Sequence, residues 1–356
     1  MMKVIVEKYL NARAGAPSVN ATCPRYLAPG TELIVDGILY KGDRIDGNDD
    51  WMKDSSGNYY WTGGLRIPQG LGPGAEGEAE ITDYNSRFGG IPEALRTTRG
   101  RKIRVAILDS GIVSHPALKG AVQRMSGFCG IPDDVTDTTG HGTHCAGIIG
   151  ARGDQLFGVA PACELVVAKV VAGNGMILSS AVADALSWAL NEAGADVINC
   201  SFGLDDPASP ALMEKIDLAR NNNVTIVAAA GENLILTERY EHFLFPAMLE
   251  GCLAVGAVNN QASSGTKAFR TQLGYLMPNA DVLSSIPPRP EIYLNMHGSS
   301  MATAFVSGIT ALIYSDFRQN HNRRPTLTEV KSHLDRIAIP FQSAVDFSNP
   351  LQLFKP

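Results

Sequence analysis

The sequence predicts an α/β fold, a mostly parallel sheet flanked by helices, preceded by a small all-β unit. Three observations lead there. The runs IRVAIL (103–108), ELVVAKV (164–170), DVINCSF (196–202) and VTIVAAA (224–230) are short and almost unbroken in apolar character, as strands buried on both faces must be. Helical spacing falls between them, with Val182, Leu186 and Leu190 over about 178–193 and Leu212, Ile216 and Ala219 over about 208–222. Finally, QGLGPGAEGEAE (69–80) holds glycines, a proline and glutamates with nothing to bury, which is linker chemistry.

The expected domains are therefore 1–68, a linker over 69–80, and 81–356. In the first, TELIVDGILYK places two apolar runs around Asp36-Gly37, and DWMKDSSGNYYWTGG does the same around Ser56-Gly57, so two hairpins are expected. The stretch NARAGAPS (11–18), followed by hairpins carrying Trp51 and Trp61, resembles the entry of bacterial SH3-like domains. That resemblance implies a small barrel that takes a peptide or cell-wall ligand. The two tryptophans either form such a binding surface or fill the core of the unit.

Composition narrows the function. With 45% hydrophobic and 19% charged residues the chain has the make-up of a globular protein. A net charge of -6 without a dense Lys/Arg stripe argues against nucleic acid or anionic lipid as a partner. No run approaches a membrane span, and the apolar stretch near the amino terminus is cut short by Glu7 and Lys8, so a cytoplasmic protein is expected. The six cysteines lack zinc-site spacing; Cys145, Cys200 and Cys252 sit in apolar runs and are expected to be buried free thiols.

Three motifs carry chemistry. VAILDSGI puts Asp109 at the carboxyl end of a buried strand, where open α/β sheets place reactive groups. In GHGTHCAGIIG (140–150), His141 opens a helix whose Gly142, Ala146, Gly147 and Gly150 permit close backbone approach. His144, one turn later without a carboxylate ligand beside it, is expected to be a packed core residue. In NMHGSSMATAF (295–305), Ser300 stands at the start of an apolar helix, whose unpaired N–H groups favour an oxyanion. Ser299 is expected to be a small residue in a tight turn.

Asp, His and Ser in that chain order, separated by 32 and 159 residues, resemble the three signature blocks of the subtilisin-like serine proteases. GVAP (158–161), INCSFG (198–203), VAAAG (227–231) and LAVGAV (253–258) extend the resemblance over about residues 81–356. It implies a serine endopeptidase acting on a protein or peptide substrate. Ser300 would attack the carbonyl, His141 would carry the proton and Asp109 would orient the imidazole. Ser201, Phe202 and Gly203 would form a strand edge for an extended substrate, with Ala228, Ala229, Ala230 and Gly231 on the opposite wall of the primary pocket.

Departures from the family pattern qualify the activity. Gly231 is followed by Glu232 and then Asn233, where the family places its oxyanion Asn directly. A shift of one residue would let Asn233 serve; otherwise Glu232 spoils the hole and a catalytically weak peptide-binding protein results. Ala304 replaces the family's proline, giving a roomier site that a bulky amine can enter, hence a peptide ligase or macrocyclase as the alternative. With the first 80 residues occupied as described, the loop ENLILTERYEHFLF (232–245) is expected to cover the site as a gate or to shape its pocket. Calcium is common in the family, but ARGDQLFG (151–158) offers one carboxylate, Asp154, and Asp133, Asp134 and Asp137 are expected on a solvated face. No metal or other cofactor is expected.

Overall fold

The computed structural model describes residues 2–6, 10–36, 38, 40–45, 48–66, 81–130, 133–153, 155–172, 175–204, 209–231, 244–258, 274–278, 282–285, 293–340 and 353–355. Its chain divides into two compact units, 1–79 with 287–294, and 80–286 with 295–356. The expected linker, Glu232, Asn233, most of the loop 232–245 and Asp154 lie outside the described residues.

In the smaller unit the described strands are short and antiparallel. Glu32–Val35 pairs with Met2–Val6, which also pairs with Leu65–Arg66. A second sheet runs Arg13–Ala14, Asn58–Trp61, Asn48–Lys53, Tyr40–Ile45. The hairpin at Ser56-Gly57 is present, with Gly57 at φ 81° and Asp54 N–H bonded to Asn58 O at 2.9 Å. Among the described residues the two strands expected around Asp36-Gly37 do not pair with each other, and Gly37 lies outside them. The first strand takes the amino-terminal strand as partner, because the Asp36 carboxylate accepts from Ile38 N–H and Lys53 N–H and carries the chain from one sheet to the other. Trp51 and Trp61 are buried with Val4, Val6, Leu33 and Val35, so both tryptophans fill the core. The half-exposed aromatic face is instead Tyr40 against Tyr59, ring centroids 5.0 Å apart, with Lys53 Nζ 4.8 Å from the Tyr40 ring.

The larger unit is built on a sheet whose described strands lie in the spatial order 122–127, 164–169, 104–109, 197–200, 225–229, 252–258, 275–278, with 354–355 and 339–340 beyond. The first seven are parallel. Ala106, Leu108, Val166, Ala168, Ile198, Cys200, Ile226 and Ala228 point to one face and pack with Val182, Leu186, Leu212 and Ile216 of helices Ser179–Asn191 and Pro210–Asn221. On the other face lie the helices His141–Gly150 and Ser299–His321, which pack on each other. The alternation of strand side chains between two covered faces explains why the runs are apolar throughout.

Helix Ser299–His321 is buried through most of its length. Small residues allow this: a Cβ at Gly308 would lie 2.6 Å from Val159 Cβ. Its carboxyl end is fastened by Asp196, which is buried and accepts from Arg318 at 2.7 Å, Arg324 at 2.9 Å and Arg104 N–H at 3.0 Å. No described helix is long and apolar enough to cross a membrane.

Candidate active site

The sheet register brings the reactive groups to one edge. Asp109 pairs with Lys169 at the carboxyl ends of their strands, and Leu108 pairs with Cys200 next door. Asp109 is almost fully buried; its Oδ1 accepts from Ser110 N–H at 2.7 Å and from His141 Nδ1 at 2.8 Å. A carboxylate offers acceptors alone, so the imidazole proton sits on Nδ1 and Nε2 is left as the basic nitrogen.

His141 is the first residue of its helix, after Gly140 at φ 84°. A Cβ at Gly142 would overlap the Gly111 carbonyl oxygen and lie 3.2 Å from Asp109 Cβ, so glycine there lets the imidazole reach its partner. Gly147 faces Ser284 and Ser285 in the same way. Ser284 Oγ donates to His144 O at 2.7 Å and Ser285 Oγ to Thr143 O at 3.1 Å. His144 is fully buried, its Nε2 3.0 Å from Val282 O, a packed core histidine.

The amino end of this helix is fixed by Asp137, which the sequence reading assigned to a solvated face. It is 3% exposed. Its Oδ1 accepts from Ser110 Oγ at 2.8 Å, Thr139 N–H at 3.1 Å and Gly140 N–H at 2.8 Å; its Oδ2 accepts from Thr143 N–H at 2.9 Å and Thr143 Oγ1 at 2.7 Å. Ser110 Oγ in turn accepts from Gly142 N–H at 3.0 Å. The carboxylate takes Thr143 N–H itself, and Ser110 Oγ and Thr139 Oγ1 take those of Gly142 and His141, so the group satisfies the donors of the helix start and ties the Asp109 strand to the His141 helix. The signal was present in TDTTGHGT, an acid among threonines ahead of a helix, which is capping composition. Asp134 is committed elsewhere: Lys169, whose ammonium is buried, donates to it at 2.9 Å and holds its carboxyl down at about 2.

Ser300 is the second residue of its helix, behind Gly298 at φ 125°. Its hydroxyl donates to Ser201 O at 2.8 Å, and Ser201 Oγ donates to Ser300 O at 2.8 Å. Ser201 is oriented by Asn199, which also accepts from Ser307 at 3.0 Å. The strand ends at Cys200, so Ser201, Phe202 and Gly203 leave the sheet as irregular backbone, two residues earlier than predicted. Across from them the neighbouring strand ends at Ala229; Ala230 N–H bonds to Val255 O at 2.8 Å, and Gly231 turns with φ 103°. Ser299 is the buried first residue of the helix, its carbonyl accepting from Thr303 Oγ1 at 2.7 Å, and not a turn residue.

Cys145 was not singled out for the site. It follows His141 by four residues and so shares its helix face. A nitrogen of His141, an oxygen of Asp109 and the Cys145 sulfur lie within 4.8 Å of one another, the single such metal-ligating trio among the described residues. Burial, and then the Asp109 charge, push the thiol well above its ordinary range, so it is a protonated sulfur beneath the imidazole. All six cysteines are free, and Cys145, Cys163, Cys200 and Cys252 are buried.

Comparison with known proteins gives the family. The model of the subtilase family, Peptidase_S8, matches residues 100–338. The major intracellular serine protease of Bacillus subtilis is 33% identical over 74% of this chain and 86% of its own length. Subtilisin BL of Lederbergia lenta is 33% identical over 68% of this chain and 86% of its own. Among solved structures, the prenylagaramide maturation protease PagA superposes with a TM-score of 0.57 at 30% identity, covering 73% of this chain and 94% of that one.

Proposed function

The chain belongs to the subtilase family, and from that premise we propose that it is a serine endopeptidase working through Asp109, His141 and Ser300. The observation that carries the reading is the Nδ1 to Oδ1 bond of 2.8 Å, which leaves Nε2 basic at the same sheet edge that holds the Ser300 hydroxyl. Ser300 Oγ leaves Ser201 O, gives its proton to His141 Nε2 and bonds to the substrate carbonyl carbon. The imidazolium returns that proton to the amine as the C–N bond breaks. Water then loses a proton to the same nitrogen, attacks the ester and releases the acid, and Ser300 recovers its hydrogen. Asp109 stays ionised throughout and stabilises the imidazolium.

The negative oxygen formed on attack is placed at the start of the Ser299–His321 helix, whose partial positive charge favours it. Asn233 is proposed as the second donor. The substrate backbone runs along Ser201, Phe202 and Gly203, opposite Ala229, Ala230 and Gly231. We further propose a cytoplasmic enzyme, supported by its likeness to a relative named as intracellular, and an SH3-like accessory unit whose half-exposed Tyr40 and Tyr59 take a peptide or cell-wall ligand.

A fluorophosphonate probe is expected to label the full chain once, at Ser300, and to leave Ser300→Ala unlabelled. Peptide digestion with a second amine in excess separates the two outcomes of the acyl-enzyme: free acid marks hydrolysis and amide product marks ligation. A labelled serine with neither product leaves only a binding protein.

A further inference from the structure

We infer that Leu244 plugs the primary pocket, so that the enzyme cleaves after small residues, Gly, Ala or Ser, and discriminates against large ones. This rests on the hydrolase reading above and concerns its substrate class.

The pocket's position follows from the sheet. Cys200 and Ala228 are register partners, so Ser201–Gly203 and Ala229–Gly231 leave the same edge side by side. Ser300 is bonded to Ser201 through both its hydroxyl and its carbonyl. A substrate residue whose carbonyl carbon meets Ser300 Oγ therefore sends its side chain between those two segments. That space is occupied. A Cβ at Gly203 would overlap the Leu244 side chain, and a Cβ at Gly231 would lie 3.3 Å from Leu244 Cδ1 and 3.5 Å from its Cγ. One isobutyl group thus fills the space a Cβ would take at Gly203 and borders the space it would take at Gly231.

Leu244 is also held in place. Leu204 N–H bonds to Phe245 O at 2.9 Å and Phe245 N–H to Leu204 O at 3.2 Å, pinning the next residue to the Ser201–Gly203 segment. Met248 N–H bonds to Leu244 O at 3.3 Å, and Ala247 is buried. A leucine pinned through the following residue and its own carbonyl is held against the Ser201–Gly203 segment, where it leaves no room for a phenylalanine. Differences of one methylene in an apolar pocket change kcat/KM by roughly tenfold to two-hundredfold, and the loss of a leucine-sized volume belongs at or above the upper end of that range.

The test is kcat/KM on a peptide series varied only at the residue before the cut, with wild type, Leu244→Ala and Leu244→Val, each also labelled with the fluorophosphonate. Wild type is expected to favour Ala over Phe and Leu by about a hundredfold, and Leu244→Ala to raise the Leu-to-Ala ratio at least tenfold. Leu244→Val, the smaller change, is expected to fall between. Wild type cutting after Phe or Leu as fast as after Ala overturns the inference, as does an unchanged ratio in variants that still label at Ser300. An unlabelled wild type that cuts nothing overturns the hydrolase reading, and the specificity with it.

Discussion

The helix that starts at His141 and the helix that starts at Ser299 both follow a glycine that offers no side-chain cap, and they are secured by different means. The first is gripped by a buried carboxylate, Asp137, which accepts from Ser110, Thr139, Gly140 and Thr143 around the helix start. The second is held by an exchange of neutral bonds, Ser300 with Ser201 and Ser307 with Asn199. Bonds to an ionised acceptor are worth about twice those between neutral groups. The imidazole is therefore fixed by charge, whereas the hydroxyl is kept by a bond of ordinary strength that it can leave. That division suits a site in which the reacting oxygen moves and the base stays.

Asp137→Ala tests it with the largest expected effect. Stranding the buried N–H groups of Gly140 and Thr143 costs about 1–3 kcal/mol each, so urea denaturation is expected to show a loss of about 3 kcal/mol or more, with turnover falling alongside. Ser201→Ala removes two neutral bonds of the other start, to Ser300 O and from Asn199, and is expected to cost about 1–2 kcal/mol, with a severalfold drop in kcat. A larger loss from Ser201→Ala than from Asp137→Ala would reverse the comparison.

A third start, that of the surface helix Leu327–Ile337, gives the exposed counterpart. It carries a capping box between Thr326 and Glu329, and the Glu329 carboxyl is held near about 2 by the Arg323 guanidinium and then by Thr326 N–H. A lowered carboxyl pKa contributes stability that is present above the ordinary value of 4.5 and is lost as pH falls from there toward about 2. Glu329→Gln is expected to flatten the thermal midpoint across that window, lowering it slightly at pH 7 and leaving it little changed near pH 2. Because the pair is exposed, this is the smallest effect of the three.

What was legible in the sequence differs between the same regions. The strands ending at Asp109, Lys169, Cys200 and Ala229 stand within two residues of their apolar runs, because burial on both faces leaves a composition that no partner strand has to explain. The amino-terminal unit was read less well. Glu32–Val35 has the pattern of a strand, but its choice of Met2–Val6 over Tyr40–Ile45 depends on a contact distant in sequence. In the site, the glycines of GHGTHCAGIIG announced a close approach, which Gly142 and Gly147 make. Asp137 and Leu244 were hidden for a different reason. An aspartate among threonines has the same composition on a surface as in a buried clasp, and the role of a leucine between two glycines appears once the backbone has brought residues 203, 231 and 244 together.

Gly142 has a consequence beyond the reach of its own atoms. A methyl group there would overlap the Gly111 carbonyl oxygen and crowd the Asp109 side chain, forcing the imidazole's helix away from the strand that carries its carboxylate. Lineages of this chain are thus denied gradual drift at that position: the hinge on which proton traffic turns admits one occupant, and variation has to accumulate at sites further out.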